Sequence, residues 1–326
     1  MLPIFLPLDI KYSVWYSINI HNTERMGRMV LYYGLNHTKI PWVKNPDGTQ
    51  GYTLSPITGC LHGCKYCYAR QLANTRLRKS YLSNRIIAPT CGDKQLALDD
   101  PFYPRIWRDR IETIYHLRSR KKPIGIFICD MGELFADWVP SMWTEEVLQA
   151  IQSCPQHRFY LLTKQPDQLR YFKFPDNVWL GVSASTMVDL VRSGKFLSNI
   201  KATIKYLSIE PMLDYSCIPG ILPHLLKHWG IGWIIIGAST GTFSSLEKTY
   251  HEYNSLTHVF NGHRMSLQPP LCWVEKLVEI ASSVKVPIFL KNNLMPLMEK
   301  EGITKQDNWT GLRQEMPIPV RRDVEG

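Results

Sequence analysis

Seven short segments of apolar character punctuate the chain, and their spacing restricts its fold more than any other feature. Six are runs of mainly apolar residues, Ile124–Cys129, Phe159–Leu162, Val178–Val182, Tyr206–Ile209, Trp233–Ile236 and Pro287–Leu290, and a further strand is expected near 52–58. Runs this short and continuous suit parallel strands buried on both faces. Stretches with helical spacing lie between several of them, at 144–152, 187–198 and 271–284. Strand alternating with helix predicts an α/β fold, and seven strands in one direction predict a partial or full (β/α) TIM-like barrel of parallel strands. An open doubly wound sheet is the alternative. No G-x-G-x-x-G follows the first strand, and the GASTG at 237–241 is a weak signal by itself.

The remainder of the chain divides around that barrel. Residues 1–45 read as an N-terminal extension, 46–295 as the barrel, and 296–326 as a C-terminal segment packing on or trailing it. Asp9 and Lys11 interrupt the apolar start, which lacks the basic opening and small-residue cleavage site of a secretory signal, and Met26 and Met29 are alternative starts. Helices are expected at 68–79 and 105–120, with an irregular stretch at 80–104 around Pro89, Pro101 and Pro104. The excursion 241–270, with Tyr250, His251, Tyr253, His258, His263 and Arg264, suits a lid or substrate loop. With 10 Trp, 16 Tyr and 11 Phe in 326 residues the chain has ample core material, which excludes disorder as its main state. No apolar run approaches the roughly 18 residues of a membrane span, so a cytoplasmic protein without membrane contact is expected.

Charge is uneven. The formal net charge is +10, and residues 65–122 carry 14 Lys or Arg against 5 Asp or Glu, nearly all of the surplus. A concentrated positive field attracts nucleic acid or phosphate; solvated helix faces are the plainer explanation.

Five of the eight cysteines, Cys91, Cys129, Cys154, Cys217 and Cys272, are scattered and read as buried, reduced thiols. The other three form C-x3-C-x2-C: Cys60, Cys64 and Cys67. In a reducing compartment such crowding points to metal or redox chemistry rather than a disulfide framework. Zinc would need a fourth ligand, for which His62 is available; an iron–sulfur cluster held by three thiolates would keep one iron open. A thiol redox pair, Cys64 with Cys67, is a third possibility.

The loop resembles the cluster loop of the radical S-adenosylmethionine (SAM) superfamily, with Tyr66 as the aromatic residue before the last cysteine. More narrowly, SPITGC (55–60), CKYCYARQLA (64–73), FICDMGELFADWVP (127–140), LLTKQPDQL (161–169), NVWLGVSAST (177–186), YLSIEPML (206–213), WIIIGAST (233–240) and VPIFLKNN (286–293) resemble the phage Gp37/Gp68-like proteins of the DUF5131 type. Many members of that group have a longer insert between the first two cysteines; the spacing here is the plain radical SAM one. The resemblance implies a barrel of the radical SAM type in which Cys60, Cys64 and Cys67 hold a [4Fe–4S] cluster whose open iron binds SAM. It implies reductive cleavage of SAM to a 5′-deoxyadenosyl radical that abstracts hydrogen from a substrate, with an electron donor such as a flavodoxin or ferredoxin. Tyr66 would cover the cluster, and Gly132 with Glu133 would receive the SAM amino group.

Other candidates come from the strand ends, where barrel chemistry sits. Asp130, Thr163, Lys164, Ser183, Ser185, Glu210, Ser239, Thr240, Lys291 and Asn292 all follow apolar runs. Lys164 is a candidate partner for the SAM carboxylate or the substrate, Ser183 for ribose hydroxyls, and Glu210 for ribose or substrate. Glu133 as an acid in a helix first turn, and Glu210 as a salt-bridge partner of Lys164 or Lys291, are the plainer alternatives. No second cysteine cluster follows, which disfavours peptide-modifying chemistry. Basic and aromatic residues permit a nucleic-acid substrate contacted through 65–122, although no recognisable nucleic-acid module is present. A non-catalytic zinc or iron–sulfur protein with a basic nucleic-acid-binding surface is the competing reading.

Overall fold

The computed structural model describes residues 32–260, 265–303 and 312–318. Eight strands form one sheet, and their order in space is their order in the chain: β1 (Asn36–His37), β2 (Tyr52–Leu54), β3 (Gly125–Ile128), β4 (Arg158–Thr163), β5 (Val178–Ser183), β6 (Ile204–Ile209), β7 (Ile231–Ile236) and β8 (Ile288–Leu290). Every neighbouring pair from β2 to β8 is parallel, and β1 is antiparallel on the β2 edge. The order never reverses, so there is no switch point of the doubly wound kind. β1 and β8 are both edges, so the barrel is partial rather than full.

Side chains alternate between two cores, as the pleat requires. Residues such as Ile126, Leu161, Leu180, Leu207 and Ile234 pack outward among Arg108–Leu117, Ser141–Gln152, Met187–Leu197, Leu222–Trp229 and Leu271–Ser283, the larger helices that follow the strands. One aromatic residue per strand from β3 to β8 (Phe127, Tyr160, Trp179, Tyr206, Trp233, Phe289) points to the other side and joins Trp42 in a separate core. The Trp42 ring lies 5.0 Å from Phe127, 5.7 Å from Tyr160, 5.8 Å from Tyr206 and 6.0 Å from Trp233. In a flat sheet β3 and β7 would stand about 19 Å apart, at about 4.8 Å per strand. One indole reaching both means that the sheet curls around it. Gly181 makes room for this layer, since a Cβ there would come within 2.2 Å of the Tyr206 ring.

Continuing inward by twos, each strand leads from that aromatic plug to the mouth. The series is Tyr160, Leu162, Lys164 on β4; Trp179, Gly181, Ser183 on β5; Tyr206, Ser208, Glu210 on β6; and Phe289, Lys291 on β8. Strand register alone therefore carries these polar residues to the carboxyl-terminal end.

Several expectations need correction. The strand at 52–58 is two pieces: Tyr52–Leu54 in the sheet, and Ile57–Thr58, which pairs with Arg105–Ile106. The helix after Cys67 ends at Asn74 and a second one spans Arg78–Ser83; the stretch 80–104 holds Lys94–Asp99 as a helix, N-capped by Asp93. The excursion after β7 is structured: Phe243–Tyr250 is a helix, and Ser239–Thr240, Met265–Gln268 and Thr257–Phe260 make a three-stranded sheet. His263 and Arg264, and the alternative starts Met26 and Met29, lie outside the described residues. The boundary at 46 falls inside the fold, because Trp42 and Val43 are core. Residues 313–315 extend the β8 edge: Leu290 N–H donates to Arg313 O at 2.7 Å, Glu315 N–H to Ile288 O at 2.9 Å, and the Trp233 indole to Glu315 O at 2.9 Å. Of the scattered cysteines, only Cys129 and Cys154 are buried; Cys91, Cys217 and Cys272 are exposed. Most basic side chains of 65–122 are solvent-exposed, Arg76, Arg78, Lys79 and Lys94 among them, but a few are structural. Arg105 is fully buried and donates to four backbone carbonyls, Arg110 donates to Ser55 O, and Arg108 and Lys122 pair with Glu146 and Asp47. Among the described residues no helix is long and apolar enough to cross a membrane.

Candidate functional site

A cavity of about 350 Å³ opens at the carboxyl-terminal ends of the strands, within the size range of small-molecule sites. Cys60, Cys64, Tyr66, Cys67, Gly132, Glu133, Lys164, Ser183 and Glu210 all line it, together with Asp130, Thr163, Ser239, Thr240 and Lys291, whereas the strand-end candidates Ser185 and Asn292 do not. The aromatic plug forms its floor, with Trp42 and Phe127 in the lining.

The cysteine loop is set by its flanks. Gly59 has φ +91°, and a Cβ there would lie 2.6 Å from the Tyr103 carbonyl oxygen, so only glycine lets the chain turn into the loop against residues 102–103. Arg70 ties the loop down by donating to Cys60 O at 2.8 Å, with its guanidinium 5.0 Å above the Phe102 ring. Cys67 caps the helix Tyr68–Asn74, its sulfur accepting the Arg70 N–H at 3.3 Å, and Cys60 sulfur accepts the His62 N–H at 3.5 Å. Burial pushes the Cys60 thiol up to about 12 and raises Cys67 as well.

Gly132 is glycine for a reason other than ligand approach. A Cβ there would lie 2.7 Å from Ile57 O and 2.9 Å from Thr58 Cα, because Gly132 forms a bridge beside the strand Ile57–Thr58. Glu133 is not in a helix. Its buried carboxylate accepts the Phe135 N–H at 3.2 Å and the Lys164 N–H at 3.0 Å, stitching the loop after β3 to the end of β4. Burial raises its pKa against these donors.

Lys164 reaches into the mouth and donates to Tyr66 Oη and Ser183 Oγ, both at 3.1 Å. Burial opposes its charge, but contact with Tyr66 and proximity to Cys64 outweigh it and hold the ammonium above the ordinary lysine value. Among the described residues no carboxylate lies within 4.0 Å of it. A protonated amine surrounded by hydroxyls is a receptor for an anionic group. Glu210 takes the salt-bridge alternative: it pairs with Lys291, and Asn293 donates to it at 3.2 Å.

Asn293, Tyr68 and Ser55 were not singled out from the sequence. Ser55 donates to Asp130 at 2.6 Å, and the Tyr68 hydroxyl donates to the Asp130 carbonyl at 2.7 Å. Tyr68 falls inside the cysteine segment, and Asn293 two residues past Lys291, so the signal was proximity to motifs already marked. The excursion docks on the cysteine loop through Lys65–Glu252 at 2.8 Å and Ser245 Oγ to Lys65 O at 2.8 Å.

The donor chemistry suits an iron–sulfur cluster: three free thiols on one cavity wall, two of them accepting backbone N–H groups as cluster sulfurs do. Among the described residues no three His, Cys, Asp or Glu side chains, Cys60, Cys64 and Cys67 included, already converge on a single metal ion. His62 instead faces Glu133 at 3.8 Å and the edge of Trp138.

No curated protein matches the chain. Among solved structures, spore photoproduct lyase complexed with dinucleoside spore photoproduct is similar with a TM-score of 0.47 at 10% identity, over 81% of this chain and 79% of that one. A spore photoproduct lyase mutant with bound AdoMet and dinucleoside spore photoproduct has a TM-score of 0.45 at 11% identity, over 73% of this chain and 75% of that one. A family model described as a protein of unknown function, DUF5131, matches residues 37–251, more than half of the chain. The chain therefore belongs to the DUF5131 family.

Proposed function

We propose that this protein is a radical SAM enzyme acting on a substrate yet to be identified. The observation that carries the reading is that Cys60, Cys64 and Cys67 share one strand-end cavity with Lys164, a protonated amine with no carboxylate partner among the described residues. The three thiols would hold a [4Fe–4S] cluster with one iron open for SAM. When bound, that pair supplies one-electron cleavage of a sulfonium and hydrogen-atom abstraction.

The chain's own residues bind, orient and exclude water. Lys164 receives the carboxylate of the bound nucleotide, with Ser183 beside it for a hydroxyl. Tyr66 is fixed between Lys164 and Ser185, whose Oγ is 3.3 Å from the Tyr66 hydroxyl, and covers the cysteine loop. The aromatic plug seals the floor against water, and the excursion, pinned to Lys65, walls one side. Glu133 is a positioning residue, locking the Lys164 backbone through its carboxylate. A flavodoxin or ferredoxin would supply the electron.

Anaerobic reconstitution with iron and sulfide tests this. About four irons per chain are expected, as one [4Fe–4S] centre requires, together with 5′-deoxyadenosine once SAM and dithionite are added. Cys64→Ala abolishes both, and Cys217→Ala, a substitution at an exposed thiol outside the cavity, alters neither. A single tightly held zinc with intact SAM would overturn the reading.

A further inference from the structure

The polar groups of the cavity fall into two sets. Tyr66, Glu133, Lys164 and Ser183 are bonded to one another and include part of the cysteine loop. Glu210, Lys291 and Asn293 are bonded to each other and to the end of β7, with no hydrogen bond among the described residues reaching the first set. The second set is rigid. Asn293 accepts the Ala238 N–H at 3.1 Å and donates to Ala238 O at 3.0 Å, so the amide that holds Glu210 cannot swing. Gly237 has no side chain where a Cβ would lie 3.1 Å from Glu210, which lets the carboxylate lie across the strand end toward Lys291. Beside them Ser239 lines the cavity at 2% exposure, and among the described residues its hydroxyl has no hydrogen-bond partner.

Taking the radical SAM reading as the basis for assigning the cysteine side to the nucleotide, we propose that the wall formed by β6, β7 and β8 is the substrate subsite, and that it takes an uncharged lactam edge of the kind a nucleobase carries. Glu210 with Lys291 is neutral as a unit and offers an acceptor beside a donor. A charged ligand group there would leave one partner uncompensated at a pair that is largely buried, Lys291 at 14% and Glu210 at 23% side-chain exposure. A ring N–H toward Glu210 and the adjacent C=O toward Lys291 satisfies both, and a second ring acceptor gives the Ser239 hydroxyl the partner it lacks. The ring of Tyr68 in the same cavity supplies flat apolar surface for such a heterocycle.

The test uses the reconstituted full chain with free uracil, ribose and glycine as probes, followed by saturation-transfer NMR at millimolar ligand. Uracil is expected to bind and saturate, and ribose and glycine are not. Lys291→Met weakens uracil about tenfold, the worth of one hydrogen bond to a charged group, and Ser239→Ala weakens it severalfold. Failure of uracil to bind, equal binding of ribose or glycine, or uracil binding indifferent to both substitutions overturns the assignment. Iron content and SAM cleavage on the same preparations report separately: if they fail while uracil binding and its mutational pattern hold, the radical SAM reading falls and the lactam subsite stands.

Discussion

Two acidic residues three positions apart in the loop after β3, Asp130 and Glu133, show how differently a carboxylate can be held. Glu133 accepts backbone N–H groups on both oxygens, whereas the contact described for the Asp130 carboxylate is the Ser55 hydroxyl on one of them. Glu133→Gln turns an amide NH2 toward a backbone N–H and leaves a buried donor unmet. A loss of about 1–3 kcal/mol is expected in urea unfolding. Asp130→Asn keeps the acceptor for Ser55 and removes a charge that burial penalises. Burial raises the folded pKa of Asp130 above its ordinary 3.8, so the unfolded chain ionises first as pH rises and the penalty is complete above the folded value. Asp130→Asn should therefore raise the thermal midpoint at pH 7, with the gain gone below pH 3.8. A midpoint lowered at pH 7 would mean that the charge is compensated.

At the scale of elements, His157 is the joint between the helix Arg108–Leu117 and the start of the sheet. Its Nδ1 accepts the Ile124 N–H at 3.2 Å and its Nε2–H donates to Leu117 O at 2.9 Å, an arrangement only the neutral ring can make. Burial lowers its pKa below the ordinary 6.5. The unfolded chain takes the proton first as pH falls, so the joint's full contribution is present above pH 6.5 and declines below it. Unfolding free energy should fall from pH 7 toward pH 5 by at most about 1.4 kcal/mol per pH unit from this one group. His157→Gln should flatten that slope, and an unchanged slope would assign it to another group. The element boundaries follow equally local causes: the helix at Tyr68 starts on a cysteine cap, and the one at Met187 on a capping box of Thr186 with Asp189.

For the whole molecule, the decisive object is Trp42. Four rings from four strands meet it, so it holds the curl that brings Lys164 on one strand and Lys291 on another to the same mouth. Trp42→Ala is expected to cost about 3–5 kcal/mol, the range for emptying a large aromatic site. Beyond stability, under the proposed radical SAM activity it should weaken SAM binding while leaving far-ultraviolet circular dichroism near the native value, because helices and strands survive where the curl relaxes. Retained SAM affinity at full occupancy would show that the curl is carried by backbone pairing alone.

Short apolar runs determine by themselves that β3 to β8 are buried strands, since a segment hydrophobic on both faces has to be covered on both. The same runs end where the polar residues begin, which made Lys164, Ser183 and Glu210 visible, and three crowded cysteines marked the loop above them. Other facts have no local signature. Trp42 lies before the first long strand and reads as part of an extension until the sheet wraps around it. The glycine at 132 serves a neighbouring strand brought up from Ile57, and Lys164 and Lys291 both end strands two away from the strand of Glu210, so only the arrangement in space selects Lys291 as its partner. Whether the barrel closes is also decided only in three dimensions. Burial patterns are set residue by residue along the chain, but curvature, edge pairing and the sharing of one cavity depend on contacts between residues from about twenty to more than a hundred positions apart, and a sequence encodes those contacts jointly rather than at any single position.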